Sequence, residues 1–247
     1  MKVRYSISIV FLLLCTTLSA SAQNKIVGQM HTIYSNDLDS DISFVLYDPH
    51  DVSNNEEVTV IFYIFGDFLF GSFAGSVNYL SKEMGIINKC ILVGINEIPN
   101  KQIGQYLKEY SGFITGQLTD TLSSKYSVKN DCILFGHSRA TRLAGQVILD
   151  NPIHIRNFIL SAPGMTDAYL DDLEKLLSQK GERISIFFAQ SEEDLKRNEV
   201  GESNQKLIDV LTKYKSHVNS KYQYFEGETH MSIPPLSFYY GIKYLLE

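Results

Sequence analysis

Beyond its first 22 residues the sequence has no apolar run that approaches transmembrane length. It has no basic stripe, because Lys and Arg are scattered along the chain. It has no internal repeat, no linker and no low-complexity stretch. It has three cysteines, and one of them, Cys15, lies in the leader-like start. Each absence excludes something. No stable membrane insertion is expected where no run is long enough to cross. With an acidic balance and no basic cluster, nucleic acid and anionic membrane surfaces are poor partners. Cys90 and Cys132 each open an apolar run and read as buried small hydrophobes.

The start of the chain reads as a secretory signal peptide, residues 1–22. Lys2 and Arg4 give a positive beginning, Ile7 to Leu18 are mostly apolar, and Ala20-Ser21-Ala22 offers small residues for cleavage before Gln23. Leu14 is too large for the position before a lipidated cysteine, which disfavours Cys15 as an anchor. The expected product is exported, either periplasmic or secreted. Losing Lys2 and Arg4 lowers the basic count from 22 to 20 against 28 acids, so the mature net charge is −8. The 247-residue chain is 44% hydrophobic, enough for one core in one domain over residues 23–247.

Strand-like runs recur along that domain. Ile26–Tyr34 and Ile42–Tyr47 come first, joined by a polar turn. Asp37, Asp39 and Asp41 alternate in that turn as calcium loops do, but the glycine and closing glutamate of such a loop are missing. Val58–Phe65 is nearly all apolar, as a strand covered on both faces would be. Later strands are predicted at Cys90–Val93, Cys132–Phe135, Phe158–Leu160, Ile184–Phe188 and Tyr222–Phe225. Helical spacing is read near Phe73–Leu80, over Gln105–Tyr126, after Ser138, and at Leu170–Leu177, Leu207–Tyr214 and Pro235–Leu246. Long alternation of buried strands with helices predicts an α/β fold with a mostly parallel sheet and helices on both faces.

Gly136-His137-Ser138-Arg139-Ala140 stands between a strand and a helix. A sharp turn of this kind lifts a serine hydroxyl above the sheet edge. The hydroxyl needs a base, histidine suits that task, and a carboxylate orients the imidazole. In this architecture the chain order is serine, acid, histidine. His31 and His50 precede Ser138. His137 is expected to face elsewhere on the turn, and His154 to sit on the far side of the sheet. His230, just past the last predicted strand, has the right order and edge. The acid is open among Glu192, Glu193 and Asp194, with Asp167 as a more distant option. Two backbone N–H groups are needed for the oxyanion. Arg139 would give one, and Asp67 or Phe68, after Gly66, the other.

From about residue 42 onward the sequence resembles the esterase-D-like branch of the α/β-hydrolase superfamily. That branch includes enterochelin esterase-like, feruloyl esterase-like and S-formylglutathione hydrolase-like proteins. The serine turn and Gly227-Glu228-Thr229-His230-Met231-Ser232-Ile233-Pro234 are the most specific similarities. Ile61 to Asp67, Cys90 to Asn96, Phe113 to Tyr126, Phe158 to Pro163 and Tyr240 to Leu245 add to them. The resemblance implies an eight-stranded sheet of order 1-2-4-3-5-6-7-8. Val58–Phe65 would then separate Cys90 from Cys132, which disfavours a disulfide between them. It also implies an acid three residues after a small strand-ending residue. Ser191 fits that place, which favours Asp194, with Glu193 as runner-up.

The chain departs from the family at Ala140-Thr141, where Gly-Gly is usual, and over Glu97 to Gln102, where a charged loop is usual. The expectation is an exported serine hydrolase acting on a small-molecule carboxylic ester, with no cofactor and no metal. The alternative is a hydrolase-fold protein that binds a ligand or partner without catalysis. The sequence does not speak to oligomeric state.

Overall fold

Eight apolar or alternating segments and one two-residue strand form one sheet, and the amphipathic segments between them cover both of its faces. The computed structural model describes residues 28–52, 56–64, 66–96, 104–179 and 183–247, without the side chains of 66–68 and 198–200. The leader-like residues 1–22 and the loop from Glu97 to Gln102 lie outside the described residues. The strands are β1 (Gln29–Ser35), β2 (Ser40–Tyr47), β3 (Glu57–Ile64), β4 (Cys90–Ile95), β5 (Ser127–Val128), β6 (Cys132–His137), β7 (Ile155–Ser161), β8 (Ile184–Ser191) and β9 (Val218–Phe225). The helices are α1 (Gly66–Asn78), α2 (Leu107–Phe113), α3 (Thr119–Ser123), α4 (Ala140–Asp150), α5 (Asp167–Ser178), α6 (Glu192–Leu195), α7 (Asn198–Lys213) and α8 (Ile233–Leu246).

The sheet order is β1-β2-β4-β3-β6-β7-β8-β9, with β5 attached to the start of β3. β1 and β2 pair antiparallel with each other, as do β2 and β4, and every other pairing is parallel. Eight strands follow the expected order. The ninth, β5, is a correction to the eight-strand expectation. It is two residues long, Ser127–Val128, so it carries no periodicity to read. The long helical pattern from Gln105 to Tyr126 is also divided. A π-helical turn over Ile114–Leu118 separates α2 from α3, and the Thr119 hydroxyl donates to the Ile114 carbonyl at 2.7 Å.

Every β3 residue from Val58 to Ile64 is buried, as expected for a central strand. One face of the sheet packs on α2, α4, α5 and α7 through residues such as Phe113, Val147, Leu173 and Leu207. The other packs on α1 and α8. There Phe73 of α1 and Phe238 of α8 stack with ring centroids 4.0 Å apart, and Phe135 of β6 meets Phe73 edge-on at 4.8 Å. Of these rings, Phe135 lies just ahead of the serine turn in the chain. Cys90 and Cys132 are free and buried, with β3 between their strands. Burial pushes both thiols up to about 12, so neither forms a reactive thiolate near neutral pH. Among the described residues no helix is long and apolar enough to cross a membrane.

Parallel strands β3, β6, β7, β8 and β9 all end at one edge, and the predicted site residues follow them there. Gly136 sets how closely β6 and α4 approach. A methyl group at this position would lie 2.8 Å from the Ala140 carbonyl oxygen and 3.1 Å from the Thr141 nitrogen, both backbone atoms. Gly136→Ala is therefore expected to destabilise the protein by about 1–3 kcal/mol. The check is urea denaturation, in which the midpoint should fall with little change in slope. An unchanged midpoint would contradict this account of the turn.

Candidate active site

Ser138 follows β6 with φ of 53°, in the left-handed region that side chains disfavour. Three hydrogen bonds with two neighbours hold it there. The Ser138 N–H donates to the Ser161 carbonyl at 2.8 Å, and the Thr141 N–H donates to the Ser138 carbonyl at 3.0 Å. The Thr141 hydroxyl donates to that same carbonyl at 2.5 Å and accepts from the Gly164 N–H at 3.4 Å. Thr141 is buried, so its extra bulk lies under the turn and ties it to the loop after β7. Ala140 is buried too.

His230 stands in the loop between β9 and α8. Its Nε2 lies 3.0 Å from Ser138 Oγ, and its Nδ1 lies 2.7 Å from Asp194 Oδ1. A carboxylate can only accept, so Nδ1 carries the proton and Nε2 offers its lone pair to the serine hydroxyl. Asp194 is 2% exposed. Its other oxygen, Oδ2, accepts from the Ser191 hydroxyl at 2.7 Å, and the Ser191 Oγ accepts from the Asp194 N–H at 3.1 Å. The acid is therefore part of the cap of its own helix. Burial acts to raise the Asp194 carboxyl, but hydrogen bonds from Ser191 and His230, with the nearby His230 charge, outweigh it. The net effect holds Asp194 below the usual carboxylate range.

The other acid candidates have different partners. Glu193 Oε2 accepts from the His230 backbone N–H at 2.9 Å, and Glu192 Oε2 accepts from the Gly227 N–H at 2.9 Å. Asp167 opens α5 and forms an exposed ion pair with Lys206 at 2.7 Å. Arg139 precedes the first residue of α4, and Asp67 is the second residue of α1. Both backbone N–H groups stand at helix starts, where amides have no acceptor inside the helix. The Arg139 side chain is exposed.

His137 corrects the sequence reading. It does not face away from the serine's partners. Its ring lies 4.7 Å from the His230 ring, at 44° between planes. Its Nδ1 is 3.0 Å from Ser161 Oγ, and its Nε2 is buried with no hydrogen-bond partner among the described residues. The last residue of β6 points to the side where the histidine loop closes, and local sequence contains no signal for that long-range contact. Burial and the neighbouring His230 lower His137 from its ordinary 6.5 to about 4.

A folded pKa below the unfolded one means that the unfolded chain binds the extra proton between those values. Acid then favours unfolding. The stability that neutral His137 contributes is lost as pH falls through about 6.5, and the loss levels off below about 4. Relative to wild type, His137→Gln should gain on the order of 2–3 kcal/mol between pH 7 and pH 4. Denaturant titrations of both proteins across that range check it, and parallel pH dependences would contradict it.

No family model and no curated protein matches the sequence. Solved structures do match. An IroE-like serine hydrolase from Shewanella oneidensis superposes with a TM-score of 0.78 at 20% identity, over 89% of this chain and 80% of that one. The enterobactin esterase FES from Shigella flexneri gives 0.72 at 14% identity, over 90% of this chain and 60% of that one. An S-formylglutathione hydrolase from Agrobacterium tumefaciens gives 0.65 at 15% identity, over 92% and 99%. At such identities the likeness is one of fold. These neighbours are the kinds of protein that the sequence resembles, and the chain shares the α/β-hydrolase fold of that esterase-D-like group.

Proposed function

We propose that this protein is an exported serine hydrolase that cleaves a carboxylic ester of a small molecule. The observation that carries the reading is the line from Ser138 Oγ through His230 Nε2 and Nδ1 to Asp194 Oδ1, with steps of 3.0 and 2.7 Å. Ser138 attacks the ester carbonyl while His230 takes its proton. Asp194, ionised and buried, stabilises the imidazolium that forms. The oxyanion accepts from the Arg139 and Asp67 backbone amides. Collapse of this intermediate expels the alcohol, to which His230 returns the proton. Water then attacks the acyl-enzyme by the same route and frees Ser138.

Fold neighbours described as an enterobactin esterase, a siderophore hydrolase and an S-formylglutathione hydrolase support ester-type bonds as the substrate class. Export rests on the leader-like residues 1–22. A binding-only reading drew on Ala140-Thr141 and on the loop from Glu97 to Gln102. Ala140 and Thr141 are buried, which weakens the first ground, and the loop lies outside the described residues.

A fluorophosphonate probe tests the proposal. The folded protein should label at Ser138, and Ser138→Ala should abolish labelling. Ser138→Ala and His230→Ala should each lower kcat on a responsive ester by roughly 10⁴-fold or more. Asp194→Asn should lower it by about 10³–10⁴-fold, because the amide favours the wrong imidazole tautomer. A panel of acetyl, feruloyl, short-chain aryl, thioester and amide substrates assigns the bond cleaved. A folded protein whose Ser138 resists the probe sinks the enzyme reading.

A further inference from the structure

Glu192, Glu193 and Asp194 are consecutive, and each accepts a hydrogen bond from the segment that carries His230. The Gly227 N–H donates to Glu192 Oε2 at 2.9 Å, and the His230 N–H donates to Glu193 Oε2 at 2.9 Å. The His230 ring meets Asp194 Oδ1 at 2.7 Å. In each case the second carboxylate oxygen is engaged from α6 or its flanks. Lys196 holds Glu192 Oε1 at 2.7 Å, Arg197 holds Glu193 Oε1 at 2.7 Å, and Ser191 holds Asp194 Oδ2 at 2.7 Å. Every one of the three side chains thus spans from the acid helix to the histidine loop.

This repetition distinguishes the cluster from a solvated acidic turn. Three carboxylates in succession repel one another, and free side chains would splay into water. Here each is drawn toward a donor on the same neighbouring loop. Glu193 and Asp194 divide their grip on one residue, the first holding the His230 main chain and the second its ring. Fixing the ring alone would leave the loop free to carry it sideways, and fixing the main chain alone would leave the ring free to rotate. Glu192 adds a second backbone anchor at Gly227, whose φ of 73° marks the start of the turn. Charge-assisted N–H···O⁻ bonds are among the stronger hydrogen bonds, so these anchors suit a loop that must hold its place.

We propose that Glu193, assisted by Glu192, is a positioning residue that fixes the backbone of the histidine loop and so holds His230 Nε2 against Ser138. The proposal rests on the reading of His230 as the base. Glu193 itself touches no reacting atom. Its effect is on the distance and angle between base and nucleophile, to which rate is steeply sensitive.

The test compares Glu193→Ala, Glu193→Gln and Glu192→Ala with wild type. Each is assayed with an aryl acetate well below its own melting temperature. Amide hydrogen exchange over residues 226–231 is followed by mass spectrometry. Glu193→Ala should lower kcat by about 10-fold or more while KM changes by less than about twofold, as expected for misplacement rather than lost binding. Exchange at the loop should speed up. Glu193→Gln keeps an acceptor oxygen and should restore most of both losses. Glu192→Ala should speed exchange near Gly227 with a smaller loss in kcat. Unchanged kcat and unchanged exchange in Glu193→Ala overturn the proposal, as does a Glu193→Gln variant no better than alanine. If wild type neither turns over nor labels, the enzymatic reading fails, and loop exchange alone then judges whether Glu193 anchors the loop.

Discussion

The working edge of this protein depends on a left-handed backbone at a residue that has a side chain. At Ser138 that conformation costs about 1–2 kcal/mol, and it persists only because the surroundings over-determine it. Gly136 lets α4 come close enough to turn the chain sharply. Thr141 and Ser161 then hold both sides of the turn through hydrogen bonds. Beneath it, the packed rings of Phe73, Phe135 and Phe238 couple the strand that ends in the turn to helices from two distant parts of the chain. The serine is presented to the surface because a rigid core pushes it there.

Environment gives similar side chains different tasks around that turn. Two imidazoles lie ring to ring, yet only one has nitrogens facing both a hydroxyl and a carboxylate. The other is kept neutral by burial and tied to Ser161. Three adjacent carboxylates differ in the same way. The shortest is almost wholly buried and held ionised by a cap and a histidine. The two longer ones are only partly buried and held below their ordinary range, Glu192 by Lys196 and then by the Gly227 amide, Glu193 chiefly by the His230 amide.

Much of this was legible in the sequence. Buried strands announced themselves as unbroken apolar runs, and chain order together with a place just past the last strand selected His230 from six histidines. Asp194 was the favoured acid through the small residue, Ser191, that ends its strand. The two-residue β5 was not legible, since pairing with β3 leaves no pattern in two side chains. The π-helical turn in the Gln105 to Tyr126 segment was hidden because it preserves the apolar face around it. His137 was misread because the position of a strand-end side chain depends on what folds over it, here a loop more than ninety residues further along. The glutamates beside Asp194 were weighed only as rival acids, since sequence spacing does not reveal which backbone amides a flexible side chain will meet.

Asp194 and His230 both come after the serine in the chain, and the helix that carries Phe238 follows His230 directly. In the folded structure that helix rests on α1, closing the aromatic group, and the loop just before it sets the imidazole 3.0 Å from the serine hydroxyl. A chain emerging from the ribosome therefore carries its serine turn long before His230 and Asp194 have been made. On the proposed reading, an unfinished copy holds a serine without its base, and reactivity arrives only with the last elements of the chain.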